Sequence, residues 1–170
     1  ILDVMLPGMT GYEVCKNVRE KGLRTPIIML TAREEEFDKI LGFDMGTDDY
    51  MTKPFSIREL IARVKAILRR TQVKESDQAI YEFGDFVLDS ESRTLKQKGK
   101  DVPLTRTEFD LLAYLVANAG KALSRETLMN DVWGSDYFGT QRSLDSFVAS
   151  LRKKVEKKPA EPNFIQTVHG

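Results

Sequence analysis

Short apolar runs alternate with amphipathic stretches along the first seventy positions. Residues 1–3 read as the end of a buried strand, stopped by the turn Leu6-Pro7-Gly8. Thr10 is placed to cap a helix reaching about Glu20, with Tyr12, Val14, Cys15 and Val18 as its apolar side. Residues 26–30 (Pro-Ile-Ile-Met-Leu) are a continuous apolar run, the pattern of a strand covered on both faces. Residues 34–45 predict a helix with acidic residues in its first turn, ended by Gly46. Another short strand spans 49–52 and runs into Lys53-Pro54. Ser56 then caps an amphipathic helix carrying Ile57, Leu60, Ile61, Val64, Ile67 and Leu68 at helical spacing. Strand and helix alternate three times, which predicts parallel strands joined by right-handed crossovers.

The pattern changes after a polar stretch at 71–78, where Val73 is the one large apolar residue. This is the expected linker between a domain at 1–70 and a second at 79–170. Strand-like runs at 81–83, 86–88 and 94–96, with a fourth at 101–104, predict a small antiparallel sheet. Thr105-x-x-Glu108 is a capping box opening a helix through Phe109, Leu112, Leu115 and Val116. Ser124 starts a shorter helix ending near Trp133-Gly134. A third helix is predicted over 141–157, stopped by Pro159 and Pro162, and a last strand over 164–168. The fold class expected is α/β, a doubly wound parallel sheet lacking its first strands, followed by an α+β helix-turn-helix unit.

Composition narrows the function classes. With 26 basic and 26 acidic side chains, net charge names no partner, and 41% hydrophobic residues suffice for packed cores. The distribution is uneven: positions 140–170 hold six basic residues (Arg142, Arg152, Lys153, Lys154, Lys157, Lys158) against three acidic ones (Asp145, Glu156, Glu161). One cysteine, Cys15, excludes an internal disulfide and fits a reducing, cytoplasmic setting. One Cys and one His exclude the usual zinc ligand set. No apolar run is long enough for a membrane span, no signal peptide is recognisable, and no membrane partner is expected. The chain opens without an initiator Met, as though beginning inside a strand.

Asp3, Thr31 and Lys53 each stand at the carboxyl end of a predicted parallel strand, the edge where open α/β sheets bind ligands. Their chemistry is complementary. A carboxylate can attack a phosphoryl group, an ammonium offsets the added charge, and a hydroxyl serves a phosphoryl oxygen.

At this point the motifs Asp3-Val4-Met5-Leu6-Pro7-Gly8-Met9-Thr10-Gly11, Leu30-Thr31-Ala32, Gly46-Thr47-Asp48-Asp49-Tyr50 and Lys53-Pro54-Phe55 resemble the receiver domain of OmpR/PhoB-family response regulators. The resemblance implies that Asp3 is the phosphoacceptor and that the Met5 backbone carbonyl, with Asp3, is a Mg²⁺ ligand. It makes Thr31 and Tyr50 a switch pair, and has Lys53 contact the phosphoryl group ahead of a cis Pro54. It implies a histidine kinase as phosphodonor and no enzymatic activity of the chain's own. The family's first strand, with an acidic pair for Mg²⁺, does not precede Asp3 here. The chain alone is therefore expected to be poorly stable and hardly phosphorylated, unlike its parent. The resemblance further implies homodimers formed on phosphorylation through Lys39, Asp48, Asp49, Glu59, Arg63 and Lys65 around Ile40 and Phe43. The ion pairs would be Lys39–Glu59, Asp49–Arg63 and Asp48–Lys65, and a two-fold interface needs both signs on one chain.

The third helix of the second half carries Leu144, Phe147, Val148, Leu151 and Val155 on one side. Arg142, Asp145, Ser146, Ala149, Ser150, Lys153 and Lys154 stand on the other, with Arg152 at the boundary. Such a helix suits a DNA major groove. Leu104-Thr105-x-x-Glu108-Phe109-x-Leu111-Leu112, Ser124-Arg125, Val132-Trp133-Gly134 and Arg142-Ser143-Leu144-Asp145 resemble the same family's winged-helix effector domain. That resemblance makes 142–153 the recognition helix, with Arg142, Ser143, Ser146, Ser150, Arg152 and Lys153 toward DNA. Arg125 and Trp133 would approach phosphates, and Thr167 and His169 would lie at the wing by the minor groove. Ser150 stands where some relatives place a base-reading Arg, and the Gly-Tyr-Arg strand expected after Gly170 is missing.

The expected function is a phosphorylation-dependent transcriptional regulator binding tandem half-sites of double-stranded DNA, with RNA polymerase a further partner. Two rivals stay open. A haloacid-dehalogenase-type phosphatase also uses a strand-end Asp, but carries a second Asp where Met5 stands. A protein-interaction adaptor without DNA binding would not need the basic helix.

Overall fold

A computed structural model of the chain describes residues 1–23, 25–32, 46–69, 80–134 and 141–168, without the side chains of residues 69, 141 and 142. The predicted helix over 34–45, the linker at 71–78, and Lys39, Ile40, Phe43 and His169 lie outside the described residues.

In the first half, β1 (Leu2–Asp3), β2 (Ile28–Thr31) and β3 (Asp49–Thr52) form a parallel sheet in that order. Asp3 is in register with Leu30, and Thr31 with Thr52, so the carboxyl ends of the strands fall along one edge. β2 begins two residues later than the apolar run suggests and includes Thr31. Pro26 carries no N–H, and the Ile27 carbonyl instead accepts the N–H groups of Asp48 and Asp49. Helix α1 (Gly11–Glu20) opens on a full capping box, Thr10 with Glu13, worth about 1 kcal/mol. Gly11 is required for a steric reason. A Cβ there would stand 2.2 Å from the Asp3 carbonyl oxygen, so only glycine lets α1 begin against β1. Helix α2 (Ile57–Arg69) follows Ser56, whose hydroxyl accepts the Glu59 N–H at 3.0 Å. Its apolar stripe is covered only in part: Ile67 is buried, while Ile57, Ile61 and Leu68 are exposed.

In the second half β4 (Ile80–Phe83), β5 (Phe86–Asp89), β6 (Thr94–Gln97) and β7 (Lys100–Asp101) form an antiparallel meander. The fourth strand is shorter than expected and stops before Pro103, although the Val102 N–H still reaches the Leu95 carbonyl at 2.8 Å. Helix α3 (Arg106–Ala117) has the predicted Thr105/Glu108 capping box. Helix α4 (Arg125–Leu128), capped by Ser124, runs on as a π-helical turn, Met129–Trp133. The Tyr114 hydroxyl of α3 donates to Asp131 in that turn, and this bond pushes its pKa up to about 12. Helix α5 (Gln141–Val155) ends two residues before the expected stop.

The predicted strand over 164–168 is not a strand. The N–H groups of Asn163, Phe164 and Ile165 all donate to the Glu156 carboxylate, at 2.8–2.9 Å, so they are not offered to a neighbouring strand. The core of this half gathers Leu88, Leu95, Leu111, Leu112, Trp133, Leu144, Phe147 and Leu151, each at most 2% exposed.

Among the described residues, the two halves meet at a polar contact. Asp48, fully buried just before β3, accepts the Thr107 N–H at the start of α3 at 3.3 Å. The Thr107 hydroxyl lies 3.2 Å from the Asp48 carbonyl oxygen. A carboxylate here also meets the positive end of the α3 dipole.

Candidate phosphoacceptor and nucleic-acid sites

The sheet edge brings together the residues that sequence placed at three separate strand ends. The Lys53 ammonium donates to Asp3 Oδ2, across fifty positions of sequence. The Met5 N–H donates to Asp3 Oδ1 at 3.0 Å, a local turn that fixes the carboxylate. Those two bonds, the one from Lys53 first, hold the Asp3 carboxyl below the usual carboxylate range. The strand carrying Thr31 lies between those of Asp3 and Lys53; its side chain is buried and its carbonyl accepts the Lys53 N–H at 2.6 Å. The Lys53–Pro54 peptide is cis.

A carboxyl with a depressed pKa adds stability above the unfolded value near 3.8 and loses that contribution as pH falls through the lower folded value. Lys53→Met is expected to move the Asp3 titration upward toward 3.8. Carboxyl-carbon NMR of Asp3 checks this, and an unmoved curve would show that Lys53 does not govern the carboxylate.

Tyr50 is buried, and its hydroxyl lies 3.2 Å from that of Tyr12 on α1. In sequence Tyr12 shows only as part of an apolar face, because a tyrosine at helical spacing carries no sign of a partner 38 positions away. Arg19 was missed for a similar reason. Its guanidinium donates to Asp48 Oδ2 at 2.9 Å and to the carbonyls of Gly46, Leu23 and Thr25.

The residues assigned to a dimer face make bonds within the chain. Arg63, 5% exposed, donates to Asp49 Oδ2 at 3.1 Å and to Glu59 Oε1 at 2.8 Å. Asp48 accepts from Arg19, from the Ile27 N–H and from Thr107. Lys65 is exposed.

Mg²⁺ favours six oxygens in near-octahedral array. Among the described residues no group of three or more His, Cys, Asp or Glu side chains could hold a metal. The Asp3 carboxylate is itself engaged by Lys53 and Met5. The described residues therefore do not by themselves make a Mg²⁺ site.

In the second half three of the residues expected toward DNA are engaged within the chain. Trp133 is 1% exposed and packs on Phe147 in the core, ring centroids 5.4 Å apart. Ser150 is 4% exposed, and its hydroxyl donates to Glu108 Oε1 at 2.7 Å, inside the α3–α5 seam. Arg152 turns to the loop after α5. It donates to the Ile165 carbonyl at 2.6 and 2.9 Å and to the Thr167 hydroxyl at 2.9 Å. Lys154 is likewise engaged, by Glu108 at 2.6 Å and the Pro103 carbonyl at 3.1 Å.

Asp145, Ala149 and Lys153 are exposed on α5, with Ser143 and Ser146 half-buried beside them. Arg125 is exposed too, its Nε 3.2 Å from Asp145 Oδ1. The Arg142 side chain lies outside what is described. Among the described residues no helix is long and apolar enough to cross a membrane.

Two family models match the chain: the response regulator receiver domain over residues 1–65, and the C-terminal domain of transcriptional regulatory proteins over residues 99–170. The sensory transduction protein RegX3 of Mycolicibacterium smegmatis is 45% identical over 173 aligned residues, covering all of this chain and 75% of that protein. Among solved structures, the response regulator DrrB, a Thermotoga maritima OmpR/PhoB homologue, is 38% identical with TM-score 0.50, covering 98% of this chain and 74% of that one. A mutant form of RitR superposes more closely, with TM-score 0.74 at 27% identity, over 99% of this chain and 74% of its own.

Proposed function

Since the chain belongs to the OmpR/PhoB family of two-component response regulators, transcription regulators that join a flavodoxin-like receiver to a winged-helix DNA-binding domain, we propose that its regulatory input is phosphorylation of Asp3 by a histidine kinase. The observation that carries this is the Lys53–Asp3 contact at the carboxyl edge of a parallel sheet. An Asp3 oxygen forms the new bond to phosphorus while the bond from phosphorus to the kinase imidazole breaks, and the imidazole leaves with a proton from solvent. Lys53, freed from its tie to the bare carboxylate, stays beside the phosphoryl oxygens as a cation. Thr31 offers its hydroxyl to the same oxygens, and Tyr50 responds from the neighbouring strand. Mg²⁺, which accompanies phosphorylation in receivers, supplies further charge neutralisation when bound.

The output is DNA binding by α5, with Lys153 and Arg125 exposed for phosphates and Ser143 and Ser146 toward the groove. Phosphorylation favours a homodimer, and two tethered effector domains engage tandem half-sites at raised effective concentration. Pairing through the face of Asp48, Asp49, Glu59, Arg63 and Lys65 exchanges bridges now closed within one chain for bridges between two. RNA polymerase is the further partner such a regulator would meet, in a cytoplasmic setting.

The protein in its full-length form, incubated with acetyl phosphate and Mg²⁺, is expected to gain one phosphoryl group by intact mass. Asp3→Asn should abolish the gain. Phosphorylation that persists in Asp3→Asn would overturn the assignment. A mobility shift at two salt concentrations tests the output, because phosphate contacts make affinity fall steeply with salt.

A further inference from the structure

The segment after α5 is held from three sides. Glu156, the first residue past the helix and only 8% exposed, accepts the N–H groups of Asn163, Phe164 and Ile165 on its two carboxylate oxygens. Arg152, one turn earlier, holds the Ile165 carbonyl and the Thr167 hydroxyl. The Phe164 ring meets Phe83 and Phe86 edge-on, at 5.4 and 6.1 Å between centroids. An acid and a base four positions apart thus clasp the two ends of the same short loop, the acid its amides and the base a carbonyl and a hydroxyl.

We propose that Arg152 and Glu156 are positioning residues which latch loop 163–168 to the end of the recognition helix, so that Arg152 acts on DNA through the loop and not by touching it. This rests on the reading of α5 and the loop as the DNA-facing surface. The chemistry favours it. Fork geometry suits a guanidinium to two acceptors at once, and with Nε and one terminal nitrogen on the loop, Arg152 is committed. Glu156 is an acid on a surface meant for a polyanion. Left in solvent it would repel phosphate; its carboxylate is instead spent on three backbone amides.

That contrast gives a test by sign. Binding to a short mixed-sequence DNA duplex is measured by fluorescence anisotropy over a salt series, with amide hydrogen exchange on the same proteins. Glu156→Gln removes a negative charge. As a mere surface acid it would bind DNA more tightly when neutralised; as a latch it should bind roughly tenfold more weakly. Arg152→Lys keeps the charge but not the fork, so it should weaken binding as Arg152→Gln does. The Arg152→Gln and Glu156→Gln effects should be less than additive when combined, since both release one loop. The amides of Asn163, Phe164 and Ile165 should lose protection in Glu156→Gln while that of Leu151 keeps it, which separates a freed loop from an unfolded domain.

Unchanged or tighter binding by Glu156→Gln, or wild-type affinity in Arg152→Lys, overturns the latch. Failure of the DNA reading looks different. The unsubstituted protein would then show no salt-dependent binding, and Lys153→Gln would not reduce the salt slope by the ~1 expected of a lost phosphate contact. The exchange of the loop amides decides the clasp itself in either case.

Discussion

Trp133→Ala is expected to lower the stability of the winged-helix half by about 3–5 kcal/mol, the range for removing a large aromatic side chain from a packed interior. Trp133 is 1% exposed and rests on Phe147 at the end of a π-helical turn. The loss is large beside the roughly 5–15 kcal/mol that holds an ordinary domain folded. Urea unfolding followed by far-ultraviolet circular dichroism measures it. A residue whose part is to touch phosphate would behave otherwise, with the unfolding midpoint kept and the salt slope of DNA binding reduced. That pattern would restore Trp133 to the DNA surface and remove it from the core.

Asp48→Ala should cost a comparable amount, about 3–5 kcal/mol, through a different route. The Asp48 side chain is fully buried, whereas that of its partner Arg19 is 18% exposed. Removing the carboxylate leaves the Arg19 guanidinium without its counter-ion and the Ile27 N–H without its acceptor. The bonds that the Thr107 N–H and hydroxyl make to the carboxylate go as well, while the hydroxyl keeps the Asp48 backbone carbonyl. Thr107→Val apportions the two contributions. It should cost about 1 kcal/mol, as the hydroxyl's shared bond to the Asp48 carbonyl and carboxylate is lost while the Arg19 pair stays closed. A midpoint in Asp48→Ala within error of the unsubstituted protein would mean that burial there is not what holds Asp48 in place.

What could be read from sequence was what is local. Thr10 and Thr105 announce their helices because a cap and its acidic answer sit three residues apart. Asp3, Thr31 and Lys53 were placed on one rim because parallel strands align their carboxyl ends, and the register confirms the alignment. What was not legible was set by distant partners. Ser150 is polar and stands on the side of the helix away from its apolar face, and the Glu108 carboxylate that takes its hydroxyl lies 42 positions away. Arg152 looked like a DNA contact because a basic side chain at a helix boundary has no visible owner until the chain returns 13 residues later. Loop 163–168 looked like a strand because Phe164, Gln166 and Val168 alternate with other residues much as strand positions do. Period alone does not tell which acceptor takes an amide, and here the acceptor is a side chain.

Gly84 and Phe164 illustrate how tightly two remote positions can be bound in their histories. Gly84 sits at φ +54°, and a Cβ there would fall 2.6 Å from the tip of the Phe164 ring. Any side chain at position 84 must therefore displace that ring, and with it the edge-on contacts it makes to Phe83 and Phe86. Substitution at either site alone is disfavoured, so descendants of this sequence should vary the two together or at neither. A designer wishing to regraft the terminal loop would have to choose the residue at 84 first.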